Sequence, residues 1–100
     1  MDSRFLPVAA LAASALLAQA CATVSEPPPP GAAACSGCHA ASAKVETPVP
    51  RIAGASPAAI VKAMQEFRSA QRPATVMDRI AKGFTDEEVQ AIANWYGAQK

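Results

Sequence analysis

Cys35-Ser36-Gly37-Cys38-His39 is the stretch whose residue types and spacing call for a defined chemistry. Two thiols one helical turn apart are placed to add to two vinyl groups of one porphyrin. The next residue offers an imidazole from the same side. The Cys-x-x-Cys-His pattern therefore reads as a c-type haem attachment site, with Cys35 and Cys38 as the covalent links and His39 as the proximal iron ligand. His39 is the only histidine in the sequence, which excludes two imidazoles on one iron within one chain.

Other chemistries are poorly provided for. A thioredoxin-like dithiol needs a βαβ setting, and no strand-like alternation appears. A structural zinc ion needs four ligands. Cys21, Cys35, Cys38 and His39 are the available Cys/His set, and the adjacent Cys38 and His39 fit a tetrahedron badly. A Cys35–Cys38 disulfide closes too small a loop to stabilise much. No nucleophile–base pair, carboxylate dyad or phosphate-binding loop is visible, so the reading is an electron carrier rather than an enzyme.

A methionine thioether is the usual partner of histidine in electron-carrying haems and raises the potential. Met1 lies in an apparent leader, which leaves Met64 and Met77. Met64 sits mid-helix on an apolar stripe, where methionine is commonly core filler. Met77 lies beyond Pro73 at a loop-to-helix junction and is the preferred ligand. Plain packing of Met77 beside an open iron site is the alternative.

The elements that must position these groups read as short helices. Gly31 to Ala41 is alanine-rich and suits a short helix ending in the attachment run. Ser42, Thr47, Pro48 and Pro50 then predict a loop as far as Arg51. Ser56 caps a second helix with Pro57 at its first position, its apolar face formed by Ile60, Val61, Met64 and Phe67. Ala74 to Gly83 holds a short amphipathic piece closed by Gly83. Thr85 and Glu88 form a capping box for the last helix, which buries Val89, Ile92, Ala93 and Tyr96 with Trp95 at the edge. The domain is all-α.

Residues 1–20 read as a secretory signal, with Arg4, an apolar run from Phe5 to Leu17, and Ala18-Gln19-Ala20 as the cleavage pattern. A retained membrane helix is the competing reading, and the run is short for a span. Export to the periplasm agrees with covalent haem attachment. Cys21 follows the cleavage pattern, and Leu17 to Cys21 resembles a bacterial lipobox, so Cys21 is a candidate lipid anchor; ordinary cleavage leaving a free thiol is the alternative. Residues 21–30 form a proline-rich linker, with Pro27 to Pro30 as a polyproline II spacer. The globular domain is expected over 31–100.

The chain has 100 residues, a formal net charge of +1 and only five aromatic residues. So near-neutral a charge argues against nucleic acid as a partner, and so small a core needs a staple. A covalent haem would be one.

Residues 31 to 100 resemble the class I (monohaem) c-type cytochromes. Pro50-Arg51-Ile52-Ala53-Gly54 is similar to the Pro-x-Leu-x-Gly segment that lines the proximal side of the haem. Phe67-Arg68-Ser69-Ala70-Gln71-Arg72 is similar to Phe-Arg-x-Gly-x-Arg at the end of the middle helix. Met77 with Ile80-Ala81 and Thr85 to Val89 matches the distal methionine and the start of the final helix. The resemblance implies three to four short helices wrapped around one covalent haem, His39/Met77 ligation, and a Pro50 carbonyl that accepts the second N–H of His39. Within the class, Met77 to Thr85 is most similar to the cytochrome subunit of flavocytochrome c sulfide dehydrogenases. This implies redox partner proteins, among them a flavoprotein dehydrogenase subunit, and membrane association only through a lipid on Cys21. Arg51, Arg68, Arg72, Arg79 and Lys82 are candidates to pair with propionates or an acidic partner. One departure stands out. Family members carry a longer first helix that docks on the last, whereas here prolines leave only Gly31 to Ala34 before Cys35. The docking contact is in question, and the domain is expected to be less stable or to lean on a partner.

Overall fold

Helix formation follows the caps written into the sequence. In the computed structural model, which describes residues 26–42 and 44–99, the elements are α1 (Ala32–Cys35), α2 (Pro57–Arg68), α3 (Met77–Ala81) and α4 (Asp86–Gly97). No strand occurs among the described residues. The expected signal segment and Cys21 lie outside them. No helix among the described residues is long and apolar enough to cross a membrane.

The Ser56 hydroxyl accepts from the Ala59 amide at 3.0 Å, and Pro57 occupies the first turn, where its missing N–H costs nothing. Thr85 and Glu88 exchange their bonds reciprocally: the Glu88 amide donates to Oγ1 at 3.2 Å, and the Thr85 amide donates to the carboxylate at 2.8 Å. Such caps each contribute about 1 kcal/mol. The apolar face expected of α4 is the buried one: Val89, Ile92, Ala93 and Tyr96 make up most of the core.

α2 packs against both α3 and α4. Its crossing with α4 is tight at Gly97, where a Cβ would meet the Pro57 ring at 2.8 Å. The last turn of α4 therefore lies directly on the first turn of α2. At the far end of α2, Glu66 accepts from Lys62 and from the Arg72 guanidinium, at 2.9 and 2.7 Å for the latter. These two cations hold the Glu66 carboxyl below its ordinary range.

The contact between first and last helix is made after all, and by few residues. Gly31 has φ of +88°, and a Cβ there would stand 2.6 Å from the Phe84 ring and 3.5 Å from Ile92. Ala32 is fully buried with Ile92 and Tyr96, and the Tyr96 hydroxyl donates to the Ala32 carbonyl at 2.6 Å. The preceding prolines take part as well. The Trp95 indole donates to the Glu26 carbonyl at 2.9 Å, and the Ala32 amide to Pro29 at 3.1 Å. From Glu26 onward the expected spacer is thus held against α4.

Gly31→Ala should lower the stability of the haem-loaded protein by about 2 kcal/mol, from left-handed backbone and the Phe84 clash together. Gly37→Ala, at an exposed turn position, should cost less than about 0.5 kcal/mol in the same denaturant titration. The Glu66 charge cluster stabilises the fold above the ordinary carboxyl value of 4.5 and ceases to as pH falls through the lower folded value. Glu66→Gln should therefore be less stable than the parent at neutral pH, and the difference should close in strong acid.

Candidate functional site

The attachment run begins as helix and ends as turn. Cys35 is the last residue of α1, and the chain then tightens: the Cys38 and His39 amides donate to the Cys35 carbonyl at 3.2 and 2.9 Å. This winding places both sulfurs and the imidazole on one short piece of backbone. Neither thiol is tied up in a disulfide. Cys35 is half-buried, and that burial pushes its thiol above the ordinary value. No group of three or more His, Cys, Asp or Glu side chains is placed to hold a metal ion among the described residues.

His39 is fixed by the loop after it. Its Nδ1 lies 2.5 Å from the Pro50 carbonyl oxygen. A carbonyl only accepts, so Nδ1 carries the proton and the lone pair is left on Nε2. Pro50 is itself set by the segment leading to Gly54, whose amide donates to the Tyr96 carbonyl at 2.9 Å. The ring orientation thus traces back to the C-terminal turns of α4.

The two methionines are both half-buried, Met64 within α2 and Met77 as the first residue of α3. α3 starts at Val76 without a side-chain cap and buries only Ala81. Its apolar residues Val76 and Ile80 remain 49% and 39% exposed. α2 likewise buries no residue fully, although Ile60, Val61, Met64 and Phe67 make an apolar face. Two helices whose apolar faces stay open, in a chain that also carries two free thiols and an oriented imidazole, are what a fold built around an apolar prosthetic group requires. The residues fit a covalent haem, with Cys35, Cys38 and His39 as its proximal holders. A hollow of about 460 Å³ flanks the run between Cys38 and Val45. Neither His39 nor Met77 lines it, so it is a side of the turn rather than the seat of a group held by both.

Of the basic residues, Arg68 and Arg72 are already engaged. Arg72 pairs with Glu66. Arg68 reaches from α2 to the turn after α3, donating to the Phe84 carbonyl at 2.9 Å, the Asp86 carboxylate at 2.6 Å and the Ala81 carbonyl at 3.4 Å. Arg51, Arg79 and Lys82 make no ion pair among the described residues.

Two known proteins are similar in sequence to this chain. The cytochrome subunit of sulfide dehydrogenase from Chlorobaculum tepidum is 41% identical over 63 residues, which are 63% of this chain and 57% of that protein. The thiosulfate dehydrogenase electron acceptor of Stutzerimonas stutzeri is 38% identical over 66 residues, 64% of this chain and 31% of that protein. The chain is similar to small c-type cytochromes. It spans less than two thirds of the length of either relative. No family model matches, and no solved structure does. The fold is all-α, that of the class I cytochromes c. One relative is named as the cytochrome subunit of a dehydrogenase and the other as a dehydrogenase's electron acceptor.

Sequence reasoning singled out Cys35, Cys38, His39, Pro50 and Met77; the structure places the first four together, and Met77 begins α3. It did not find the Arg68 brace or the tie from Tyr96 to Ala32. The arginine after Phe67 was visible, but a guanidinium on an exposed helix end gives no sign of the carbonyls it will meet. Tyr96 connects directly to the site, because its hydroxyl holds the helix that presents Cys35. Tyr96→Phe should leave the Ala32 carbonyl buried without a donor and cost about 1–3 kcal/mol. Denaturation of the haem-loaded protein checks this, and an unchanged midpoint would mean the carbonyl finds another donor.

Proposed function

We propose that this chain is a one-electron carrier, not an enzyme, holding one haem covalently through Cys35 and Cys38 with His39 and Met77 as axial ligands. The bound group supplies a ferric/ferrous couple, and with both axial positions filled little rearranges on transfer. The observation that carries the reading is the imidazole: His39 is adjacent to the second thiol, and its Nδ1 is bound by the Pro50 carbonyl, which leaves Nε2 free to ligate. The apolar residues of α2 and α3 exclude water from the pocket, which favours a high potential. Met77 is favoured over Met64 because it begins a short uncapped helix after a loop, whereas Met64 is locked within α2. Export to the periplasm rests on the leader-like residues 1–20, and tethering there rests on Cys21.

The physiological setting is electron acceptance from a dehydrogenase. A second reading, a resident cytochrome subunit of a periplasmic flavoprotein dehydrogenase, is favoured by the similarity to a subunit of sulfide dehydrogenase. Native size-exclusion separates the two, since a resident subunit co-elutes with its enzyme and a free carrier runs alone.

The test is maturation in a host that attaches haem. The product should be red, gain the mass of one haem, and show in the ferric state the weak sulfur-to-iron absorption band. Met77→Ala should abolish that band and lower the potential, while Met64→Leu should preserve both. Colourless protein of bare-chain mass would end the proposal, and a band that survives Met77→Ala would move the ligand to Met64.

A further inference from the structure

We infer that Arg68 is a positioning residue for the distal ligand, acting at a distance through the turn that closes α3. The inference rests on the reading of Met77 as an iron ligand.

α3 is poorly anchored by itself. It has five residues, no side-chain cap at Val76, one fully buried residue, and an apolar ridge of Val76 and Ile80 that stays open. Five residues are far too few for a helix to persist on its own propensity. Among the described residues, the side-chain hydrogen bonds that reach residues 77–84 from another element both come from Arg68. The guanidinium uses its three nitrogens on three separate acceptors. Nε donates to the Ala81 carbonyl at the end of α3, Nη2 to the Phe84 carbonyl, and Nη1 to the Asp86 carboxylate at the start of α4.

Only a planar guanidinium presents donors in this fixed fork; the lysine ammonium is a point charge on a flexible stem. The brace therefore fixes where α3 ends relative to α2 and α4. α3 is a single short turn, so fixing its end also fixes its first residue, Met77. Arg68 is partly shielded, while Asp86 is largely exposed. The two carbonyl bonds, rather than the ion pair, then supply most of the positional restraint. Arg68 thus spends three of its five N–H donors on this brace.

The experiment uses the full chain with haem attached and four variants: Arg68→Met, Arg68→Lys, Asp86→Asn and Met77→Ala. Added imidazole serves as the probe, because it competes with the thioether for the iron. Arg68→Met should weaken the sulfur-to-iron band and tighten imidazole binding about tenfold, as the ligand-free conformer becomes more populated. Haem attachment and far-ultraviolet helix content should be unchanged. Arg68→Lys should fall between this variant and the parent, and Asp86→Asn should stay close to the parent. If Met77→Ala abolishes the band while Arg68→Met keeps the parental band and imidazole affinity, losing only thermal stability, Arg68 is merely structural and the inference is overturned. If Met77→Ala keeps the band, the ligand assignment itself has failed, which is a separate outcome. Should Arg68→Met not accumulate, Arg68→Lys decides alone, and a parental imidazole affinity overturns the inference.

Discussion

The attachment run depends on a helix too short to exist by itself. α1 has four residues, well below the length at which nucleation cost is repaid by propagated hydrogen bonds. It is helical because α4 makes it so. Ala32 is buried against Ile92 and Tyr96, the Tyr96 hydroxyl ties down the Ala32 carbonyl, and Gly31 lets the backbone approach Phe84. Cys35 follows three residues after Ala32, so the position of the first thiol is set by α4. Loss of the usual length before the attachment run is offset by close backbone approach, which glycine and alanine allow and larger residues would forbid.

The distribution of apolar surface supports the same architecture from the opposite side. Burial concentrates where α1 meets α4, with Ile52, Ala53 and Ile60 packed around it. The remaining apolar residues of α2 and α3 are only partly covered, and Val76 and Ile80 are exposed. A chain of this size with such a divided core has little margin. A rigid apolar group covalently fixed at Cys35 and Cys38 would join the two halves, as staples do in other small domains. The proposed haem would thus answer a structural demand of the sequence as well as a functional one.

Much of this was legible because the relevant signals are local. Ser56 with Pro57, the Thr85–Glu88 box, and the three-and-four spacing of Val89, Ile92, Ala93 and Tyr96 each specify their helix within a few residues of chain, and all appear as read. The attachment run is legible for the same reason. What escaped the sequence involves distance. Gly31 reads as the start of a short alanine-rich helix, yet it serves as the crossing point with Phe84 and Ile92, more than fifty residues on. The prolines read as a spacer, but the Trp95 indole holds Glu26 against α4. Arg68 reads as a partner for propionates or an acidic protein, while its acceptors are the Asp86 carboxylate and two backbone carbonyls, which no side-chain pattern announces.

The two sides of the site therefore differ in how they are held. On the proximal side, Cys35, Cys38 and His39 share one turn, and the Pro50 carbonyl eleven residues away completes the setting. Few degrees of freedom separate these groups, and the α4 core backs them directly. On the distal side, Met77 leads a short helix with an open apolar face, restrained from its far end by a side chain of another element. Elements with few buried contacts populate the low-stability end of a protein's opening motions. Under the proposed His39/Met77 ligation, the proximal bond would be fixed by the attachment run, whereas the distal bond would be sensitive to anything that shifts α3. The distal position would then be where potential or partner response is adjusted without disturbing covalent attachment.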